Sequence, residues 1–188
     1  MTGRIDTSVP LSPVAARAMA RLLPPGMKPP NLFSAFARSD ALFSYMVDKE
    51  LIGPTGILDR RAMPRELREC TILRTCAATR NDYEFNLHVQ TISDRMGLSP
   101  AQIDDVRREQ PDASLWSAQQ VAAMRLVDAL VGLDVPDTLW SECRDALGEA
   151  MLIELTQLAG MYFGVAMLVA LLRPAFDHYR FAEPVLAG

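Results

Sequence analysis

Apolar residues recur at three- and four-residue spacing along most of this chain, and proline or glycine separates each such segment from the next. This periodicity predicts amphipathic helices, because residues three or four apart share one helix face. The alternation of β-branched and polar residues that is typical of strands does not occur. The sequence therefore predicts an all-α, multi-helix bundle of about eight or nine helices.

The prolines and glycines between these segments also predict where the helices begin and end. Pro13 and Pro64 stand at first-turn positions, where a missing N–H costs nothing. Glycines and paired prolines mark the ends. We expect helices over residues 13–23, 32–38, 40–52, 65–78, 81–97, 99–110, 117–132, 136–148 and 149–173.

Composition narrows the class of protein. Of 188 residues, 49% are hydrophobic and 22% are charged, which supports one core and excludes a disordered chain. A net charge of −4 offers no field for a phosphate backbone, so nucleic acid is not an expected partner. No secretory signal pattern is visible, and we expect a cytoplasmic protein. Two histidines and three irregularly spaced cysteines predict neither a metal site nor a disulfide framework.

The segment 158–172 (LAGMYFGVAMLVALL) carries no charge. A bilayer span needs about 20 such residues. We therefore expect a buried central helix, or one packed into an oligomer interface, and no membrane contact. Gly160 and Gly164 would let a neighbouring helix approach closely.

Two candidate catalytic residues lie on the helix predicted after Asn81. Glu84 and His88 occupy successive turns of one face, at the border between the apolar stripe and solvent. A carboxylate one turn before an imidazole can orient it and raise its pKa, which suits proton transfer. Alternatively, Asn81 and Glu84 form a capping box, or Glu84 and His88 form an ordinary surface pair.

The preceding helix supplies a third candidate. Glu69 shares a face with Leu73 and Cys76. An apolar face disfavours the charged form, so we expect a raised pKa for Glu69. The alternative is a solvent-exposed pair with Arg65. Cys76 is the one thiol on this face, but no C-x-x-C motif is present to activate it.

The segment 64–104 resembles a known family. An Arg-Glu-x-x-Glu motif ends at Glu69, an aromatic-Glu pair follows, a histidine comes four residues later, and Gly-Leu-Ser marks the next joint. Together these resemble the carboxymuconolactone decarboxylase and alkylhydroperoxidase D-like (AhpD-like) family, and the flanking sequences look like its extended members. The resemblance implies a single AhpD-like domain over 1–188, with 1–30 as an N-terminal extension and 64–104 as the motif-bearing helical hairpin.

The resemblance also implies site residues. The hydroperoxide-reducing branch of the family uses two cysteines, and their positions fall on Asn81 and Glu84, so both thiols are missing. The decarboxylase branch lacks them too and works by cofactor-free acid–base chemistry. There His88 is the proton donor or acceptor, Glu69 its buried partner and Glu84 the orienting carboxylate. Tyr83 and Asn81 would donate hydrogen bonds to substrate oxygens.

The function expected from these residues is a cofactor-independent lyase or isomerase that transfers protons on a small carboxylate or lactone. The resemblance further implies a homo-oligomer, either a trimer or a hexamer. Two alternatives stay open. One is a peroxidase-related thiol redox protein that uses Cys76 or Cys70. The other is a non-catalytic binding or assembly protein.

Overall fold

The computed structural model describes residues 3–53 and 63–179, and this part of the chain is helical without strands. It contains a short 3-10 helix at Ala113–Leu115 and nine α-helices. The α-helices are α1 (Pro13–Leu22), α2 (Asn31–Phe36), α3 (Asp40–Asp48), α4 (Arg65–Ala78), α5 (Asp82–Thr91), α6 (Pro100–Asp105), α7 (Ala118–Val131), α8 (Asp137–Leu147) and α9 (Glu149–Leu172). The predicted all-α bundle is confirmed.

Three predicted helices are too long. Helix α6 was expected to reach residue 110 but ends at Asp105. We expected α5 to reach residue 97, but it ends at Thr91, where the amides of Ile92 and Ser93 both donate to the carbonyl of His88. These two hydrogen bonds to one carbonyl oxygen end the helix. Likewise α3 ends at Asp48, and Glu50 takes a left-handed conformation with φ of 54°. The stretch 54–62 lies outside the described residues.

Helix α4 forms the centre of the bundle. Every side chain from Leu67 to Cys76 is buried, including those of five polar or charged residues between them. It packs against α7, α9 and α5. The expected central helix, α9, instead contacts α4 with one side and leaves the other exposed. Of the two predicted arrangements, a buried helix or one packed into an oligomer interface, the first holds only for the side of α9 that faces the bundle.

Helix α9 combines length with apolar composition. In the described ranges it is the one helix long and apolar enough to cross a membrane by these two measures. Its inward side nevertheless packs in the protein core, where Leu155 and Leu158 join the main apolar cluster. Its last turns cover Tyr83 and Leu87 of α5. Helix α9 thus spans the bundle and closes it over α5.

Candidate functional site

The joint between α4 and α5 sets the geometry of the site. Arg80 adopts a left-handed conformation with φ of 54°, and the amide of Asn81 donates to the carbonyl of Cys76. The Asn81 side chain then caps α5 by accepting from the Glu84 amide at 3.2 Å. This turn folds α5 back along α4. As a result, residues 19 positions apart in sequence meet in the core.

Glu69 of α4 and His88 of α5 form a buried pair. The imidazole Nδ1 donates to Glu69 Oε1 at 3.0 Å. The hydroxyl of Ser93, just beyond α5, donates to the same oxygen at 2.7 Å. Glu69 has no exposed surface and His88 is 5% exposed. The pair therefore lies in a low-dielectric environment, where charge interactions are strong.

Two groups face the other ring nitrogen of His88. The Tyr162 hydroxyl of α9 lies 3.1 Å from Nε2, and its ring meets the imidazole edge to face. Glu84 Oε1 lies 3.6 Å from the same nitrogen. Both residues are buried. These four side chains, together with the Ser93 hydroxyl bound to Glu69, form one connected network from Glu69 through His88 to Tyr162 and Glu84.

The network shifts the proton equilibria of its members. Burial acts to lower the pKa of His88, but the carboxylates of Glu69 and Glu84 outweigh it and raise this pKa to about 10. Burial acts to raise the pKa of Glu69, yet the charge and hydrogen bond of His88, with the Ser93 hydrogen bond, bring it below its ordinary value. The expectation of a raised Glu69 pKa is wrong, because it overlooked a cationic partner. At neutral pH the pair is an imidazolium and a carboxylate.

Unpartnered polar atoms lie at the start of α5. Within the described part of the chain, Glu84 Oε2 and Asn81 Nδ2 are buried and have no hydrogen-bond partner. Buried polar groups normally form hydrogen bonds, and a buried group without one costs free energy. One acceptor and one donor are therefore open at the start of α5, and Glu69 Oε2 inside the network is a further buried acceptor without a partner.

The structure brings the three predicted catalytic residues together. Glu69, Glu84 and His88 belong to one network, although Glu84 and His88 are buried rather than at the expected solvent border, because α9 covers their face. Asn81 caps α5 as in a capping box, while the Glu84 carboxylate approaches His88. The alternative of a solvent pair between Arg65 and Glu69 is excluded by the full burial of Glu69.

Tyr83 has a different role from the one expected. Its hydroxyl donates to the carboxylate of Asp177 and accepts from the amide of Leu32 at 2.9 Å. Burial, and then the Asp177 hydrogen bond, raise the pKa of Tyr83 well above its ordinary value. The hydroxyl is thus engaged in holding the segment after α9 against α2.

The thiols are unsuited to redox chemistry. Cys70, Cys76 and Cys143 are free and buried. Burial raises the pKa of Cys70 to about 12. Burial and the nearby carboxylates of Glu84 and Glu69 raise the pKa of Cys76 well above its ordinary value. Since the thiolate is the nucleophile, neither candidate thiol is activated.

Sequence reasoning missed two members of the network. Tyr162 lies in the uncharged segment 158–172 and was treated as part of an apolar helix. A signal was available, since a buried tyrosine hydroxyl usually finds a hydrogen-bond partner. Ser93 carried no such signal, because the sequence predicts that it lies inside a continuous helix.

Across residues 3–53 and 63–179, no cluster of three or more His, Cys, Asp or Glu side chains could hold a metal ion.

No protein-family model, curated protein or solved structure matches this chain. The AhpD-like resemblance of segment 64–104 therefore stays a prediction.

Proposed function

We propose that this protein is a cofactor-independent lyase or isomerase that transfers a proton on a small carboxylate or lactone substrate. The observation that carries the proposal is the buried hydrogen-bonded line from Glu69 through His88 to Tyr162. A carboxylate on Nδ1 fixes the ring and leaves Nε2 as the nitrogen that exchanges protons. A carboxylate that orients an imidazole and a second ring nitrogen that exchanges protons are both typical of acid–base catalysis.

In this proposal His88 acts as the acid. Its raised pKa keeps the ring protonated at neutral pH. The Nε2 proton can pass to the Tyr162 hydroxyl, which in turn donates its own proton to a substrate carbon or oxygen. Glu69 is a positioning residue, because its carboxylate acts through the ring rather than on the substrate.

The two unpartnered polar atoms at the start of α5 favour a substrate that accepts a hydrogen bond at one atom and gives up a proton at another. Asn81 Nδ2 would donate to a carboxylate or lactone carbonyl oxygen. Glu84 Oε2 would accept a proton from the carbon beside that carbonyl, forming the enolate that the relay then protonates. This division uses one base and one acid on the same substrate. It requires no cofactor.

The test is a screen of lactone acids and β-keto acids with the purified protein, followed by NMR in D2O to detect deuterium at the substrate carbon. His88→Ala should lower turnover by about 100-fold or more. His178→Ala is the matched control, because the side chain of that second histidine is exposed, and it should retain wild-type turnover.

A second variant separates loss of chemistry from loss of fold. Removing His88 leaves the Glu69 charge buried without its partner, which destabilises a protein strongly. Tyr162→Phe keeps the ion pair and removes only the relay hydroxyl, so it should fold and still lose turnover. Unchanged turnover in both variants, or no turnover of any such substrate by the wild type, would refute the proposal.

A second candidate function is a non-catalytic binding or assembly protein. The same burial favours it, since His88 and Tyr162 are each 5% exposed and already paired with protein groups. In that case the variants would lower stability, and the wild type would turn over none of the screened substrates. The thiol redox alternative has no comparable support, because the candidate thiols are buried with raised pKa values.

A further inference from the structure

Helix α9 carries an apolar stripe on its outward side, away from the bundle. The large side chains of Ile153, Met167 and Leu171 are 66%, 60% and 63% exposed. Six residues at alternating four- and three-residue spacing form this outer stripe: Ile153, Gln157, Gly160, Gly164, Met167 and Leu171. Such spacing keeps residues on one side of a helix over many turns and is typical of a seam between two helices.

No neighbouring atom within the described chain requires glycine at the two central positions. A Cβ atom built at Gly160 or Gly164 meets nothing within 4 Å. Glycine weakens a helix relative to alanine, so two of them in the middle of α9 are unfavourable without another purpose. Small residues four apart let the backbones of two helices approach closely.

The outer stripe is symmetric about Tyr162. Residues equally far from position 162 match in size: Ile153 with Leu171, and Gly160 with Gly164. Gln157 and Met167, the remaining pair, are both long and unbranched. We infer that a second copy of this chain docks antiparallel on the outer stripe, with a two-fold axis near residue 162. A two-fold contact joins the same patch on both copies, so the patch must complement itself, as this one does.

Charge at the two ends of α9 favours the antiparallel direction. The first turn carries the exposed Glu149, whereas Arg173 follows the last turn. Arg4 lies at that same end, with its side chain donating to the Leu171 carbonyl at 3.0 Å. An antiparallel pair places these opposite charges together, and the helix dipoles also oppose each other. A parallel pair would bring like charges together.

The exposed area suits a pair of copies. The three large side chains of the outer stripe and the flanking Phe163 are 39–66% exposed, so pairing would bury apolar surface on both copies. A specific interface buries at least about 1,000 Å² in total. Tyr162 points inward from the opposite side of α9, towards His88. The two candidate sites would therefore lie back to back, each separated from the axis by its own copy of α9.

The first test is the molar mass in solution by light scattering and by sedimentation equilibrium. The wild type should have twice the mass of one chain, or an even multiple of it. Gly164→Leu should at least halve that mass, because a bulky side chain blocks the close approach while the open space around it leaves the fold intact. Leu42→Ala, on exposed α3, is the matched surface control and should keep the wild-type mass.

The second test determines the direction of pairing by disulfide cross-linking. Ile153→Cys and Leu171→Cys are prepared separately, mixed and oxidised; the native cysteines are buried and contribute little background. The antiparallel contact predicts a cross-link between the two different variants and little within either one. A 153–153 cross-link would show parallel pairing and overturn the inference.

Two further outcomes would overturn it. One is a wild type that stays a single chain at tens of micromolar. The other is a single chain that floats with phosphatidylcholine vesicles through the outer stripe, since α9 has the length and composition for lipid contact. In the second case Met167→Glu would abolish flotation without changing the mass.

Discussion

At His88, burial lowers the pKa of the imidazole and the neighbouring carboxylates raise it, and the combined effect of the carboxylates is larger. A lone imidazole in this position would lose its proton, because a low-dielectric environment disfavours the ion. The carboxylate of Glu69 reverses that outcome, and Glu84 adds to it. The result is a cation held inside the core by a hydrogen bond of 3.0 Å. Removing either partner of such a pair typically costs 3–5 kcal/mol.

The ion pair predicts how stability depends on pH. The pKa of His88 is raised from 6.5 to about 10, so its contribution is fully present below pH 6.5 and is lost as pH rises towards 10. The pKa of Glu69 is lowered from 4.5, so its contribution is present above pH 4.5 and is lost as pH falls through the lowered value. Urea unfolding should therefore show a decline of a few kcal/mol between pH 6.5 and 10.

The control for this prediction is a neutral pair. The double variant Glu69→Gln with His88→Gln removes both charges, so its stability should change little between pH 6.5 and 10 apart from the background of other groups. Subtracting the two curves isolates the contribution of the pair. If the wild type and the double variant have the same slope, the two residues do not form an ion pair.

Helices α4 and α5 show what the sequence could and could not predict at the scale of an element. The bounds of α4 were predicted correctly, since Pro64 precedes its first residue and the chain reverses at Arg80. The end of α5 was placed six residues too late, because the apolar spacing continues past Thr91 although the helix does not. That early end allows Ser93 to turn back and donate to Glu69.

Tyr83→Phe tests the corrected role of that residue. The variant keeps the ring stacked on Phe176 but removes the hydroxyl, leaving the Leu32 amide without its acceptor and Asp177 without one donor. We expect a loss of about 1–3 kcal/mol in the free energy of unfolding. Turnover of the folded protein should stay at the wild-type level.

The matched control is Tyr45→Phe, on the exposed surface of α3, which should change neither quantity. A Tyr83→Phe protein of normal stability but reduced turnover would instead assign the hydroxyl to the substrate, as the AhpD-like resemblance implies. Urea denaturation and a steady-state assay distinguish the two results.

At the scale of the whole molecule, α9 completes the site and covers it. Its Tyr162 reaches His88 from 74 positions away, a contact that helix periodicity alone does not predict. Periodicity predicts the face shared by Glu84 and His88. The apolar neighbours of Glu69 favour burial but leave a solvent-exposed pair with Arg65 open. Neither pattern indicated that the two faces would meet, since this depends on the packing of α4, α5 and α9 in three dimensions.

The protonation state of His88 is the most direct test of the account. Nitrogen-15 NMR of the imidazole, with His178→Ala used to assign the two histidines, reports the charge on each ring between pH 5 and 11. We predict an imidazolium at pH 7 that titrates near 10, and a marked fall in that pKa in Glu69→Gln. A His88 ring that is neutral at pH 7 in the wild type would contradict the buried ion pair and the acid role built on it.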